Sequence, residues 1–294
     1  MGYSGRYHAA SLAAVFIALA IGILIGIGLA DDVVSTASQE LEQSLRSERD
    51  AAQDQAADLQ TDLDRERQFS DLAYPALVAG KLARQRVAVI ELGDVPDDAV
   101  SDTADEVIEA VRAAGGSLAS VSSINLPADI PALVEDVGSR RFAAARRDPE
   151  VLGRLGERIG SKLVGGGDLI ASVKTDLFAA FNGSLEGVGY VVVLLNPPSG
   201  LSPREIAVAG SFEDGLLTGI ESAADGAVGA ERTTTDPTTL GSLADLGIPT
   251  VDHVDLTAGK VALVFALTGA QGDFGTKDGA TGFLPELLQT PTSP

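Results

Sequence analysis

Side chains able to do covalent or metal chemistry are scarce in this chain. There is no Cys, Met occurs only at position 1, and His occurs only at positions 8 and 253. Without thiols there are no disulfides, thiolate-bound zinc, iron–sulfur clusters or cysteine nucleophiles. His253 follows Asp252, with Asp255 two residues on, but no GxSxG elbow supplies a nucleophile for it. We read it as an exposed or structurally bonded histidine. No strand-like run leads into GxGxxG or a P-loop, so dinucleotide and nucleotide triphosphate chemistry lack their backbone cradle. Gly165-Gly166-Gly167-Asp168 follows a helical segment, and its aspartate would repel phosphate, so it reads as a loop. Asp273 and Asp278 sit in QGDFGTKDG without the spacing of a calcium loop. The expectation is a protein that is not an enzyme, with no catalytic residue, no cofactor and no metal-ligand set.

Three other groups carry the remaining possibilities. Ala14, Ala18, Gly22 and Gly26 extend an every-fourth-residue ridge from Ala10 to Ala30, and Gly22–Gly26 is a GxxxG. Such a ridge lets two helices approach closely in a bilayer, which implies a homodimer or homo-oligomer; plain Ala and Gly abundance is the alternative. Asp50, Asp54, Asp58 and Asp62 fall at i,i+4 spacing. They form either a solvated acidic face or a docking stripe for a basic partner or divalent cations. Gly93, Asp94, Asn196 and Ser199 would mark the carboxyl ends of two strands. There a doubly wound sheet would hold a small ligand, unless they are structural turns.

The elements that position these groups follow from hydropathy. Residues 9–30 carry no charge, and 22 helical residues span roughly 33 Å, enough to cross a bilayer core. Arg6 before the span and Asp31–Asp32 after it place residues 1–8 in the cytoplasm and the rest outside. A cleaved signal peptide ending at Gly28-Leu29-Ala30 is the competing reading. Residues 31–70 form a helical stalk with a coiled-coil seam through Val34, Leu41, Leu45, Ala52, Ala56, Leu59 and Leu63. Tyr74-Pro75 breaks the helical pattern.

Residues 84–270 predict a Rossmann-like three-layer α/β domain. RVAVIEL (86–92), SLASVSS (117–123), GYVVVLL (189–195) and KVALVFAL (260–267) read as strands, with shorter ones near 226–231 and 249–254. Helices are expected over 97–114 and from Ser202-Pro203 to about Ile220, with a helical insertion over about 131–181. Residues 271–294 read as an irregular Gly/Pro-rich tail. The fold class is thus α/β with one transmembrane helix, a helical coiled-coil stalk and the Rossmann-like domain.

The net charge is −21, and residues 31–67 contribute −7 of it. A chain this acidic is unsuited to gripping nucleic acid, another polyanion.

The stretch from Tyr7 to Gly22 resembles the start of the actinobacterial family of mycobacterial copper transport protein B. The resemblance continues through the stalk, the RVAVIEL strand, the Ala113-Ala114-Gly115-Gly116 helix ending, Thr250-Val251-Asp252, residues 260–267 and Asp273-Phe274-Gly275-Thr276. It implies a single membrane segment, an extracytoplasmic domain in the cell envelope and a role in copper efflux or homeostasis. It also implies a membrane-protein partner and a link to envelope or septal peptidoglycan control, which makes a scaffold or regulator of wall assembly the alternative function. The residues themselves supply no copper-ligand cluster, because Cu(I) favours thiolate and thioether and Cu(II) favours imidazole.

Overall fold

The computed structural model describes residues 5–94 and 101–286, with the backbone alone for residues 5–6 and 27–40. The start of the helix expected at 97 and the tail beyond 286 lie outside the described residues. So do the side chains of Arg6, Ala30, Asp31, Asp32 and Val34. The chain divides into two compact units, Met1–Gln68 and Phe69–Pro294.

One helix, α1 (Gly5–Val78), crosses that division. Its segment Tyr7–Gly26 has a mean hydropathy of 2.5 and is long and apolar enough to cross a membrane. Further on, ion pairs Arg46–Glu42 and Arg65–Asp62, at i,i+4 and i,i+3, line its surface. Exposed pairs of this kind add only a few tenths of a kcal/mol each. The break expected at Tyr74-Pro75 does not occur: Pro75 lies inside the helix, and α1 continues to Val78. Proline costs least near a helix end, and here Tyr74 and the fully buried Val78 pack into a core that offsets the cost.

The second unit is built on a mixed seven-stranded sheet in the order β3-β2-β1-β4-β5-β6-β7. The strands are β1 (Arg86–Gly93), β2 (Ser117–Asn125), β3 (Ala180–Gly183), β4 (Tyr190–Asn196), β5 (Gly226–Ala230), β6 (Thr250–Val251) and β7 (Asp273–Phe274). Every neighbouring pair is parallel except β2–β3. β1 and β4 are buried on both faces, which explains their unbroken apolar runs.

Helices cover both faces. α2 (Asp102–Ala113) and α8 (Thr257–Leu267) share one apolar core with Val87, Val89, Val192 and Leu194 of the sheet. On the opposite face lie α3 (Ile130–Val137), α4 (Pro149–Gly165), α5 (Asp168–Leu177) and α6 (Pro203–Ala223), packed with Ala88, Ile90, Leu92, Val191 and Val193. A short helix, α7 (Gly241–Asp245), precedes β6. Ser101 caps α2, Asp148 caps α4, and Ser202 with Glu205 forms a full capping box on α6.

Two segments differ from expectation. KVALVFAL is a helix, not a strand: α8 is buried on nearly all sides, so its apolar run carries no periodicity to separate the two states. Its place between the parallel strands β6 and β7 settles the matter, since a parallel crossover needs such a connection. The glycine-rich tail contains β7, and the helical insertion closes with the antiparallel strand β3.

α4 and α6 run side by side in the same direction along a glycine seam. A Cβ at Gly156 would lie 2.5 Å from the Phe212 carbonyl, and one at Gly160 would overlap the Leu216 carbonyl. Gly215 and Gly219 reciprocate against the carbonyls of Gly153 and Glu157. The two backbones touch directly, which no larger residue permits.

Candidate functional site

Charged side chains are costly to bury, so where they gather inside marks the place to look. They gather at the carboxyl end of the sheet. Glu231 follows β5, Asp252 and His253 follow β6, and Lys277 comes just after β7. Glu231, Asp252 and His253 are buried.

Each charge is met. Lys277 Nζ donates to Glu231 Oε1 at 2.7 Å and to the carbonyls of Arg232 at 2.8 Å and Thr235 at 2.6 Å. These three bonds use all three ammonium protons. Glu231 also accepts from the hydroxyls of Thr238 and Thr239 and from the Thr239 amide. Asp252 accepts from the amides of Thr276 and Lys277, at 3.0 and 2.6 Å. Gly275 (φ +150°) makes this possible, because a Cβ there would overlap the Asp252 carboxylate.

His253 Nδ1 lies 3.1 Å from Asp252 Oδ1, and its ring stacks on Phe283 with centroids 5.0 Å apart. The ring is fully buried, and Nε2 has no hydrogen-bond partner among the described residues. Burial holds its pKa below the ordinary imidazole range, against the opposing pull of Asp252. The neutral ring therefore donates from Nδ1 to the carboxylate. Asp255 accepts from the amide and hydroxyl of Thr233, at 2.8 and 2.6 Å. Burial raises the Asp255 pKa, but the Thr233 bonds and Arg232 outweigh that and leave it below the usual range.

This network can hold a sheet edge together. Its carboxylates and the Lys277 ammonium are bonded within it, and the cavity against it, lined by Thr238, Asp252, Asp273 and Lys277, has a volume of ≈ 80 Å³. Ligand pockets usually run to several hundred Å³. Among the described residues no hydroxyl bonds His253 Nε2, and no group of three or more His, Cys, Asp or Glu side chains is placed to hold a metal ion.

The sequence-predicted crevice lies further along the same edge. The structure brings Gly93 and Asn196 together in register, and the Asp94 amide donates to the Asn196 carbonyl at 2.8 Å. A Cβ at Gly93 (φ +118°) would overlap that carbonyl, so the two strand ends meet backbone to backbone. Ser199 is exposed in the loop that follows. Next to this point Glu91, fully buried, accepts from the Ser101 and Ser123 hydroxyls beneath the first turn of α2.

The other predicted groups lie on α1. Asp50, Asp54, Asp58 and Asp62 are all exposed; Asp50 pairs with Arg49 and Asp62 with Arg65, each at 2.7 Å. Ala14, Ala18, Gly22 and Gly26 are exposed, and a Cβ at Gly22 or Gly26 would meet nothing within 4 Å.

Sequence reasoning missed Glu91, Glu231 and Lys277. A carboxylate set inside or directly after an apolar strand, as in RVAVIEL and GAVGAE, is the signal that was available.

No curated protein matches the chain. The family described as copper transport outer membrane protein, MctB, matches residues 3–285, nearly the whole length. The chain belongs to the MctB family of copper-transport-related envelope proteins.

Proposed function

We propose that this protein is a non-catalytic component of copper efflux or homeostasis. It is held in the envelope by one uncleaved span, with its α/β domain outside the cytoplasm, and acts through a membrane partner rather than by ligating copper. The family match across residues 3–285 carries the copper assignment. The indirect role rests on donor chemistry: no Cys, a single Met at the terminus, and one domain histidine that is buried and bonded to Asp252. Neither copper oxidation state finds its preferred ligands in that set. A single helix also encloses no pore, so any passage of copper belongs to an assembly.

The span pairs through its Ala14–Gly26 ridge, and pairing raises the local concentration of the stalk that follows, favouring a coiled coil. The domain is of the Rossmann-like doubly wound kind, which the parallel order β2-β1-β4-β5-β6 with helices on both faces supports.

The test is a deletion strain scored for copper sensitivity and cell shape, beside copper titration of the purified full chain. Copper sensitivity rescued by the chain, with no site tighter than about micromolar, is expected. A submicromolar copper site would overturn the indirect role. Normal copper tolerance with misshapen cells would replace the copper function with wall-assembly control.

A further inference from the structure

Outside the buried network, one groove combines an apolar floor with concentrated positive charge. It lies between the start of α3, the segment leading into α4, and the first two turns of α6, and its volume is ≈ 440 Å³. That is the size of an ordinary small-molecule site. Ile130, Leu152 and Val208 supply apolar surface, and Arg146, Arg147 and Arg204 supply three guanidinium groups.

The charge is out of keeping with the rest of the chain. Between residues 140 and 174 eight basic side chains face four acidic ones, in a protein of net charge −21. Arg146 is oriented by donation to the Pro131 carbonyl at 3.0 Å, and Arg147 and Arg204 have no carboxylate within 4.0 Å among the described residues. One carboxylate, Asp148, also lines the groove, but its Oδ1 already accepts from the amides of Glu150 and Val151 at the start of α4. Guanidinium groups without a carboxylate partner, beside buried apolar side chains, are poised for bidentate bonding to an anion.

We propose that this groove binds a single-chain amphiphile with a phosphate monoester head. The alkyl chain lies along Ile130, Leu152 and Val208, and the head meets Arg147 and Arg204, with Arg146 at the rim. Three cations against one engaged carboxylate favour a phosphate dianion over a monoanionic carboxylate. An uncharged amphiphile would leave the guanidinium groups unmatched, and bare phosphate would leave the apolar floor wet. The site is independent of any copper role.

The experiment is calorimetric titration of the full chain, reconstituted in phosphatidylcholine nanodiscs, with octyl phosphate. Empty nanodiscs provide the partition baseline. Octyl phosphate should bind saturably above that baseline, with a Kd on the order of 100 µM or below. Inorganic phosphate, octanol and octanoate should each bind at least about tenfold more weakly. Arg147→Glu with Arg204→Glu, both exposed positions, should weaken octyl phosphate binding at least about tenfold while leaving the unfolding temperature unchanged. Non-saturable uptake equal to empty nanodiscs would overturn the proposal. Full binding by the double variant would do the same, as would inorganic phosphate, octanol or octanoate matching octyl phosphate.

Discussion

Two regions of this molecule use glycine at the same helical spacing, and one of them packs against a second helix of the same chain. In α4 and α6, Gly153, Gly156, Gly160, Gly215 and Gly219 face one another across a seam where a Cβ would meet carbonyl oxygens. In α1, Gly22 and Gly26 repeat the four-residue step, but a Cβ at either would meet nothing within 4 Å. Spacing alone therefore states that close approach is possible, not that it has happened. Within the α/β domain the apolar burial of Leu155, Phe212 and Leu216 drives the two helices together and the glycines set how near they come. In a bilayer no such burial drive exists, so the glycines themselves would have to provide the gain through close packing.

The comparison can be broken most forcefully at Gly160. Gly160→Val should cost at least about 3 kcal/mol and abolish or severely depress the cooperative unfolding transition, because its side chain meets backbone that cannot yield. An unfolding temperature within a few degrees of the parent would show that the seam is looser than described.

Gly22→Ile with Gly26→Ile should do the reverse. The α/β domain should keep its unfolding temperature, while association in a membrane two-hybrid or crosslinking readout falls by at least about tenfold. Undiminished association would mean that the α1 ridge is only a by-product of composition.

The smallest effect comes from Glu213, on α6 beside the seam. Burial, helped by the neighbouring Asp214, raises its pKa to about 6. A carboxylate whose folded pKa exceeds its unfolded value stabilises most while protonated, and that contribution is lost as pH rises from about 4.5 through 6. Ionised at pH 7, it costs the fold roughly 1–2 kcal/mol. Glu213→Gln should raise the stability at pH 7 by about that amount and flatten this part of the pH profile. His253 acts in the other direction. Its folded pKa is lowered, so its contribution is present at neutral pH and is lost as pH falls below about 6.5. Comparing Glu213→Gln with the parent isolates the glutamate from this opposing slope.

How much the sequence revealed varied with how local the determining forces were. β1 and β4 were legible because burial on both faces leaves an uninterrupted apolar run bounded by turns. The start of α6 was legible because the cap and first-turn proline of Ser202-Pro203 act over a few residues. α8 was misread because total burial erases periodicity, and β-branched valines then tip the reading toward a strand. Pro75 was read as a terminator because its tolerance depends on packing that comes from residues far along the chain. The partners of Glu231 and Asp252 were invisible for the same reason, since Lys277 and Thr276 lie 46 and 24 residues away. The groove at α3–α6 was equally hidden, because its arginines come from two segments more than fifty residues apart.

Lys277 and Gly275 have a consequence in time as well as in space. Their segment is made after every other strand, yet it supplies the ammonium for Glu231 and the amide donors for Asp252. Until residues 273–277 emerge, closing β5 and β6 would leave Glu231 without its ammonium partner and Asp252 without its amide donors. Synthesis order therefore delivers these donors last, after every strand whose carboxylates they meet.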